Sequence, residues 1–362
     1  MLDHPASPAG VHDWARRPAE ALEEARGHVA DLIGAPAEAI IFTSGATESR
    51  NLAVKGLLSA NRRRGRHVVT SAVEHPATTA AVRSATPDEH LRTLVAVDAL
   101  GRIPPAAIGE AVREDTALVT LVHGQPEIGT VQDAGALVAA VRASRAPDAP
   151  VHLDAEETAG VIPVDVDALG VDALTLSGAA MGGPGWAGAL YLRPGTRLHP
   201  LVEGGLQERG KRGGAEALPA IAALGEAARL ARSEMDQRAR RARALRDRLI
   251  AGLLRVPGVR LNGPEEDRLP GHVQVSCGWA EGESVTLGLA ARGVAASPGS
   301  ACSASAGKAS PTLEAIGLEP PWTHSAVLFT LRHTTTEDEV DHAAAAFAEV
   351  VAELRAISPI RR

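Results

Sequence analysis

The chain has 362 residues, of which 45% are hydrophobic but only 2% aromatic, so small aliphatic side chains must fill its core. Its net charge of −7 at pH 7 is not accompanied by any basic block, which argues against nucleic acid or an anionic membrane as a partner. We expect no secretory signal, because residues 1–5 form neither a basic nor an apolar signal region, and no transmembrane helix, because no apolar stretch is long enough. The two cysteines, Cys277 and Cys302, fit a reducing compartment and lack metal-ligand spacing, so we expect a cytoplasmic protein without a metal site.

Short apolar runs alternate with helical patterns between about residues 20 and 200. Most of these runs show no apolar/polar alternation, which is typical of parallel strands covered on both faces. Helical patterns lie between several of them, for example at 134–143. The pattern predicts an α/β fold with a mostly parallel sheet. The predicted strands are 39–43, 67–70, 118–122, 151–154, 173–176 and 187–192.

The C-terminal third of the chain predicts a second, smaller domain. An Ala-, Leu- and Arg-rich stretch from about Leu218 to Leu254 predicts a long helix that leads into it. Thr336 and Glu339 have the spacing of a capping box at the start of the last helix. The predicted strands of this domain are 259–261, 273–275 and 327–330. We therefore predict a large domain at 1–220, a connecting helix at 221–255 and a small domain at 256–362.

Two motifs follow predicted strands and could bind a phosphorylated, aromatic ligand. The segment 43–49 follows the first strand and opens a helix, where free backbone N–H groups suit a phosphate. His75 follows the second strand, at the sheet edge where open α/β sheets bind ligands, and could stack on an aromatic cofactor. Each also has a structural interpretation, as an N-terminal helix turn and as a helix-capping histidine.

Two further motifs have the same double interpretation. Asp154 ends an apolar strand and could pair with a protonated ring nitrogen, or it could simply cap the strand end. Cys302 lies in a loop of small residues, where Lys308 could favour the thiolate. The alternative for Cys302 is an incidental thiol without a role.

The order and spacing of these motifs resemble the cysteine desulfurases of the NifS/IscS type, which are pyridoxal-phosphate (PLP) enzymes of fold type I, similar to class-V aminotransferases. The resemblance runs from about residue 5 to 355. It implies a fold-type-I PLP transferase-like architecture: a large domain with a mostly parallel seven-stranded sheet, plus a smaller C-terminal α+β domain carrying the cysteine loop. The most specific segments are 42–49, 127–133, 204–210 and 299–302.

The resemblance also implies roles for individual residues. Thr47 and Ser177 would hold the PLP phosphate, His75 would stack on the ring, and Cys302 would attack the substrate sulfur and carry the persulfide. Asp154 would pair with the ring nitrogen. The full set of site positions implied in this way is Ala46, Thr47, His75, Asp154, Glu157, Ser177, Ala180 and Cys302.

Two adjacent positions of the implied site have lost their family residues. Ala180 stands where the family has the lysine that forms the Schiff base with PLP, and Ala179 replaces the histidine before it. Without that amine, neither the imine nor its proton transfers can form. We therefore expect PLP, the cofactor of the family, to bind weakly or not at all.

Four more departures support this expectation. Glu157 replaces a glutamine, and an ionised carboxylate cannot donate a hydrogen bond to the phenolate of the cofactor. Leu328 replaces the arginine that binds the substrate carboxylate. Pro126 replaces an asparagine, and Ala215 replaces a hydroxyl that is lent across the dimer.

The leading hypothesis is a pseudoenzyme of sulfur metabolism. It would act as a homodimer, or as a heterodimer with an intact desulfurase, and it could relay a persulfide on Cys302 to a sulfur-acceptor protein. One alternative is an enzyme of other chemistry that uses His75, Asp154 and Glu157 as acid–base groups. Another is an active cysteine desulfurase, converting L-cysteine to L-alanine and a persulfide, represented by an engineered Ala179/Ala180 variant. A further one is PLP held by Lys308 or Lys211.

Overall fold

The computed structural model describes residues 7–299 and 309–357, and these form two compact units. The predicted domain limits at 220 and 255 stay a prediction. Two short segments from the first half of the chain belong with the C-terminal part, which no single cut in the sequence would give. The first unit contains the described residues up to Val95, Ile103–His123 and Gln132–Met235, and the second contains Ala96–Arg102, Gly124–Val131 and the described residues from Asp236.

A seven-stranded sheet forms the centre of the first unit, as predicted. Its strands are β1 (Ile40–Thr43), β2 (His67–Ser71), β3 (Arg92–Val95), β4 (Thr116–Val122), β5 (Val151–Asp154), β6 (Ala173–Ser177) and β7 (Gly188–Leu192). Their order is β1-β7-β6-β5-β4-β2-β3. Strands β2 to β6 run parallel, and β7 is antiparallel to both of its neighbours. The sheet is therefore mostly parallel, with one reversed strand.

The central strands are buried, as their continuous apolar sequences predict. All seven residues of β4 are buried, and so are all residues of the central strands β5 and β6. Continuous apolar runs produce this pattern because helices cover both faces of a parallel sheet. The edge strand β3 was not predicted, since Arg92 and Thr93 break the apolar run and only Val95 is buried.

Helices flank these strands in the chain order of an α/β fold. A π-helical turn at Leu52–Gly56 joins the helix Ala46–Asn51 to the helix Leu57–Ala60. The predicted helix at 134–143 is present as α6, which begins where the Asp133 carboxylate accepts a hydrogen bond from the Ala136 amide (3.0 Å). The helices are α1 (Asp13–Leu32), α2 (Ala46–Asn51), α3 (Leu57–Ala60), α4 (Pro76–Ala85), α5 (Pro105–Ala111), α6 (Ala134–Arg142), α7 (Val166–Leu169) and α8 (Leu218–Leu253).

The second unit contains a three-stranded antiparallel sheet, in which His272–Cys277 is the central strand between Ala326–Thr330 and Val259–Leu261. Its aliphatic core includes Leu249 of α8, and Phe329 meets Phe347 edge to face, with ring centroids 6.2 Å apart. The predicted capping box is present: the Thr336 amide donates to the Glu339 carboxylate (2.8 Å), and the Glu339 amide donates back to the Thr336 hydroxyl (3.3 Å). The elements are β8 (Val259–Leu261), β9 (His272–Cys277), β10 (Ala326–Thr330), α9 (Gly282–Ala290), α10 (Pro311–Ala315) and α11 (Glu337–Ile357).

Within the described ranges, the helices are all too short or too polar to cross a membrane.

One buried carboxyl group ties two neighbouring strands together. Glu74 follows β2, and one of its oxygens accepts hydrogen bonds from the Ser71 hydroxyl and from the amide of Val122 (3.0 Å) at the end of β4. Its other oxygen is buried and makes no hydrogen bond to any described residue. Burial raises the pKa of Glu74 to about 8, so the neutral acid is the stable form at this position near neutral pH.

The core of the second unit offers a matched test on one helix. Leu289 of α9 is fully buried, whereas Leu287 is 67% exposed. We expect Leu289→Ala to lower the free energy of unfolding by about 2–5 kcal/mol, because it removes buried methyl groups and leaves a cavity. Leu287→Ala should change it by less than about 0.5 kcal/mol. Denaturant unfolding of both variants measures this, and equal losses would show that α9 does not pack as described.

The Glu74 carboxyl group predicts a pH dependence of stability. Its ordinary pKa is 4.5, whereas the folded protein holds the proton up to about pH 8. Between these values the folded state binds more protons, so the free energy of unfolding falls as pH rises and the loss is complete above about pH 8. We expect wild type to lose at least about 1 kcal/mol more than Glu74→Gln between roughly pH 5 and 8.

Denaturant unfolding at several pH values measures this difference. Glu38→Gln, on an exposed residue of the same unit, is the control and should keep the wild-type pH profile. A Glu74→Gln variant with that same profile would contradict the assigned protonation.

Candidate functional site

The predicted site residues of the first unit gather at one edge of its sheet. Parallel strands β5 and β6 end at Asp154 and Ser177. Strand β1 has the same direction as β6, because both are antiparallel to β7, and it ends at Thr43 just before α2 begins at Ala46. The carboxyl edge of a parallel sheet is where open α/β folds bind ligands.

A buried arginine forms an ion pair with the carboxylate of Asp154 at this edge. Arg50 of α2 donates from Nε to Oδ2 of Asp154 (2.6 Å) and from Nη2 to Oδ1 (3.1 Å). Their side chains are only 3% and 1% exposed. Both carboxylate oxygens are therefore engaged by one guanidinium group in the fork geometry that gives strong, oriented ion pairs.

The pairing of Arg50 with Asp154 shifts the pKa values of both groups more strongly than their burial does. Burial alone would lower the pKa of Arg50 and raise the pKa of Asp154. The mutual charge interaction and hydrogen bonds reverse both effects, so the pKa of Arg50 is raised and the pKa of Asp154 is lowered. Both groups are ionised at neutral pH.

A second carboxylate extends the pair into a network. Glu156 accepts a hydrogen bond from Nη2 of Arg50 with one oxygen and from the Ser177 hydroxyl (2.9 Å) with the other. Burial raises the pKa of Glu156, and the nearby charges of Asp154 and Glu157 add to that effect against the opposing charge of Arg50. The Ser177 hydroxyl has given its only proton to this bond.

His75 lies at the N-terminus of α4, where it caps the helix. Its Nδ1 accepts a hydrogen bond from the Ala77 amide (3.0 Å), so the proton of the neutral ring is on Nε2. Burial and the charge of Arg50 together lower the pKa of His75 to about 4, against the opposing charges of Asp154 and Glu157. The structural interpretation of His75 is thus confirmed, and its stacking role stays a prediction.

The remaining predicted residues of the first unit differ in their exposure. Ala46 is buried at the start of α2, whereas Thr47 beside it is exposed. Glu157 and Ala180 are half-buried, and Ala180 follows β6 by three residues. Ala215 is exposed.

Two predicted positions lie in the second unit and one lies outside the described residues. Pro126 is in the segment Gly124–Val131. Leu328 of β10 exchanges backbone hydrogen bonds with Ser297 (2.7 and 3.0 Å). Cys302 falls in the gap between 299 and 309, so its role stays a prediction.

Sequence reasoning missed Arg50 and Glu156, although the helix pattern contained a signal for the arginine. Ala46, Ser49, Arg50 and Ala53 follow the i, i+3, i+4, i+7 spacing of one helix face, and all four are buried. A charged residue on such a face needs a buried partner. Asp154, at the end of a central strand, was the available carboxylate.

The described residues of this site do not fit PLP, the cofactor that the resemblance implies. Asp154 is already paired with a cation, and the Ser177 hydroxyl donates to Glu156 and not to a phosphate. The carboxylates of Asp154, Glu156 and Glu157 lie near the guanidinium group of Arg50, whereas the phosphate and phenolate of PLP are anionic and are disfavoured by nearby carboxylates. Ala180 supplies no amine.

Comparison with known proteins places the chain. The sequence model of the class-V aminotransferase family matches residues 3–342. The chain is 39% identical over 362 residues to cysteine desulfurase IscS 1 of Archaeoglobus fulgidus, covering 100% of this chain and 94% of that protein. It is also 39% identical over 357 residues to cysteine desulfurase IscS of Dictyoglomus turgidum, covering 98% and 90%.

The fold gives the same assignment. A solved structure described as a NifS-like protein superposes with a TM-score of 0.90 at 29% identity, covering 96% of this chain and 92% of that one. The seven-stranded sheet, the order of the motifs along the chain and the full-length similarity to IscS proteins agree. The chain belongs to the class-V aminotransferase family, among the homologues of IscS/NifS cysteine desulfurases.

Proposed function

We propose that this protein is a non-desulfurating homologue of the cysteine desulfurases that works in cytoplasmic sulfur metabolism as a partner subunit. The observation that carries the proposal is Ala180, three residues after the end of β6, where the family has the lysine that binds PLP. A methyl group cannot form an imine or shuttle protons. The relatives named cysteine desulfurases support the link to sulfur.

The network around Asp154 supports the proposal from a second direction. A pocket whose carboxylates and hydroxyl already satisfy one another has little to offer an anionic cofactor. The engineered-variant alternative explains Ala179 and Ala180 alone. It leaves the bidentate Arg50–Asp154 pair and the three carboxylates at this edge without an account.

As a partner subunit, the protein would form a homodimer, or a heterodimer with an intact desulfurase. A narrower version of the proposal gives Cys302 the role of a persulfide carrier that passes sulfur to an acceptor protein. In that step the Cys302 thiolate attacks the terminal sulfur of a persulfide donor. A new S–S bond forms on Cys302, and the donor leaves as a thiolate, so no external oxidant is needed.

The proposal predicts that the purified protein forms no imine with PLP. We expect a dissociation constant no tighter than about 1 mM, because the covalent bond cannot form and Asp154, the partner of the ring nitrogen, is already paired with Arg50. Titration with PLP, followed by the visible imine band and by borohydride reduction with peptide mapping, measures this. An IscS-type desulfurase that retains the lysine is the positive control. A band that changes on addition of L-cysteine, or a reduced adduct on Lys55, Lys211 or Lys308, would overturn the proposal.

The persulfide version predicts selective sulfur transfer to one of the two cysteines. Cys277 is fully buried, its thiol donates to the Ser325 carbonyl (3.3 Å), and burial raises its pKa to about 12. It should therefore stay unmodified in the folded protein. After incubation with a persulfidated donor, mass spectrometry should find one added sulfur atom on Cys302 and none on Cys277. The Cys302→Ser variant should take up none, and an unmodified Cys302 in wild type would exclude the carrier role.

A further inference from the structure

We infer that Arg50 is a built-in occupant of the cofactor site: its guanidinium group takes the position on Asp154 that a cofactor ring nitrogen would need. This inference deepens the proposed function and rests on it. It adds a second block to cofactor binding that is independent of the missing lysine. Restoring a lysine at position 180 would therefore not be sufficient to restore the cofactor.

The geometry of the Arg50–Asp154 pair leaves no free oxygen for a second cation. Two nitrogens of Arg50 bind the two oxygens of Asp154 at 2.6 and 3.1 Å, and both side chains are almost completely buried. A protonated ring nitrogen would have to share this carboxylate with a guanidinium group. Two cations on one buried carboxylate repel each other strongly, because the surrounding protein screens charge poorly.

Arg50 is also fixed in place by its neighbours. Arg50 lies on the buried face of α2. Its guanidinium group binds Glu156 in addition to Asp154. Glu156 is held in turn by the hydroxyl of Ser177. For Arg50 to swing away, a buried cation would have to leave two carboxylates, which would then lose their shared cation.

The charges of Arg50 and Glu156 balance each other. Arg50 and Glu156 form a neutral unit, so removing both leaves the net charge of the edge unchanged and frees Asp154. A double substitution of Arg50 and Glu156 can thus show whether PLP binding depends on a free Asp154, while the net charge of the pocket stays the same. The chain also offers a matched control in the buried pair Arg26–Glu208 of the same unit (2.8 Å), whose hydrogen bonds go to other residues than those of the network.

The experiment compares PLP binding by three variants. These are Ala180→Lys, Arg50→Ala/Glu156→Ala/Ala180→Lys, and the control Arg26→Ala/Glu208→Ala/Ala180→Lys. We expect only the triple variant that lacks Arg50 to bind PLP at least about tenfold more tightly than Ala180→Lys. It should also be the only one whose thermal unfolding midpoint rises on addition of PLP. Equal affinity of Ala180→Lys and the variant lacking Arg50, or an equal gain in the control, would overturn the inference.

A second probe removes the lysine from the comparison. Pyridoxamine phosphate cannot form an imine, so its binding to Arg50→Ala/Glu156→Ala reports on the pocket alone. Tryptophan fluorescence should show tighter binding than in wild type. The gain should vanish for the 1-deaza analogue, in which a C–H group replaces the ring nitrogen. An equal gain for both ligands would overturn the assignment of Asp154 as the contested group.

Separate control measurements test whether each variant is folded and whether the proposed function holds. Circular dichroism of each variant without ligand shows whether it is folded, and Arg50→Gln/Glu156→Gln, which keeps the side-chain volume closer to wild type, replaces the alanine pair if that pair unfolds. Imine formation by the wild-type protein would contradict the proposed function. Tight PLP binding by Ala180→Lys alone would contradict only the role of Arg50.

Discussion

A buried carboxylate must have a cation or a proton, and this requirement organises the edge of the large sheet. Asp154 ends a central strand that is covered on both faces, and its side chain is 1% exposed. An ionised carboxylate in such surroundings costs several kcal/mol unless it is paired. Arg50 supplies the cation from within the chain, so Asp154 does not depend on a ligand for its charge.

The same arginine connects elements that are far apart in sequence. Through Arg50 and Glu156, helix α2 is bonded to the end of β5 and, by way of Ser177, to the end of β6. A ligand entering this edge would have to break these hydrogen bonds before making its own. Only the surplus of new interactions over broken ones appears as affinity. Any ligand of this edge would therefore compete with the network.

The sequence predicted the scaffold better than the chemistry of its site. Central strands were readable because short, continuous apolar runs are typical of buried parallel strands, whereas β3, which carries Arg92 and Thr93, has no such run. Asp154 was placed at the end of its strand because strand ends are local features, whereas Ser177 was assigned to the site only through the family resemblance. The pair that Asp154 makes is not local: Arg50 lies 104 positions away, and only the fold brings the two together. His75 could be read two ways, and the helix cap is visible only in the structure.

Two buried carboxyl groups near this edge meet the same requirement in opposite ways. Asp154 has a cation, so its pKa is lowered and it stays ionised. Glu74 has the Ser71 hydroxyl and a backbone amide as its donors, and burial raises its pKa to about 8, so it keeps its proton. A fold can therefore retain a buried carboxyl group by either route. Because neutral Asp154 would also have satisfied burial, the presence of Arg50 is a separate feature of this chain: it preserves the charge of the carboxylate and engages both of its oxygens.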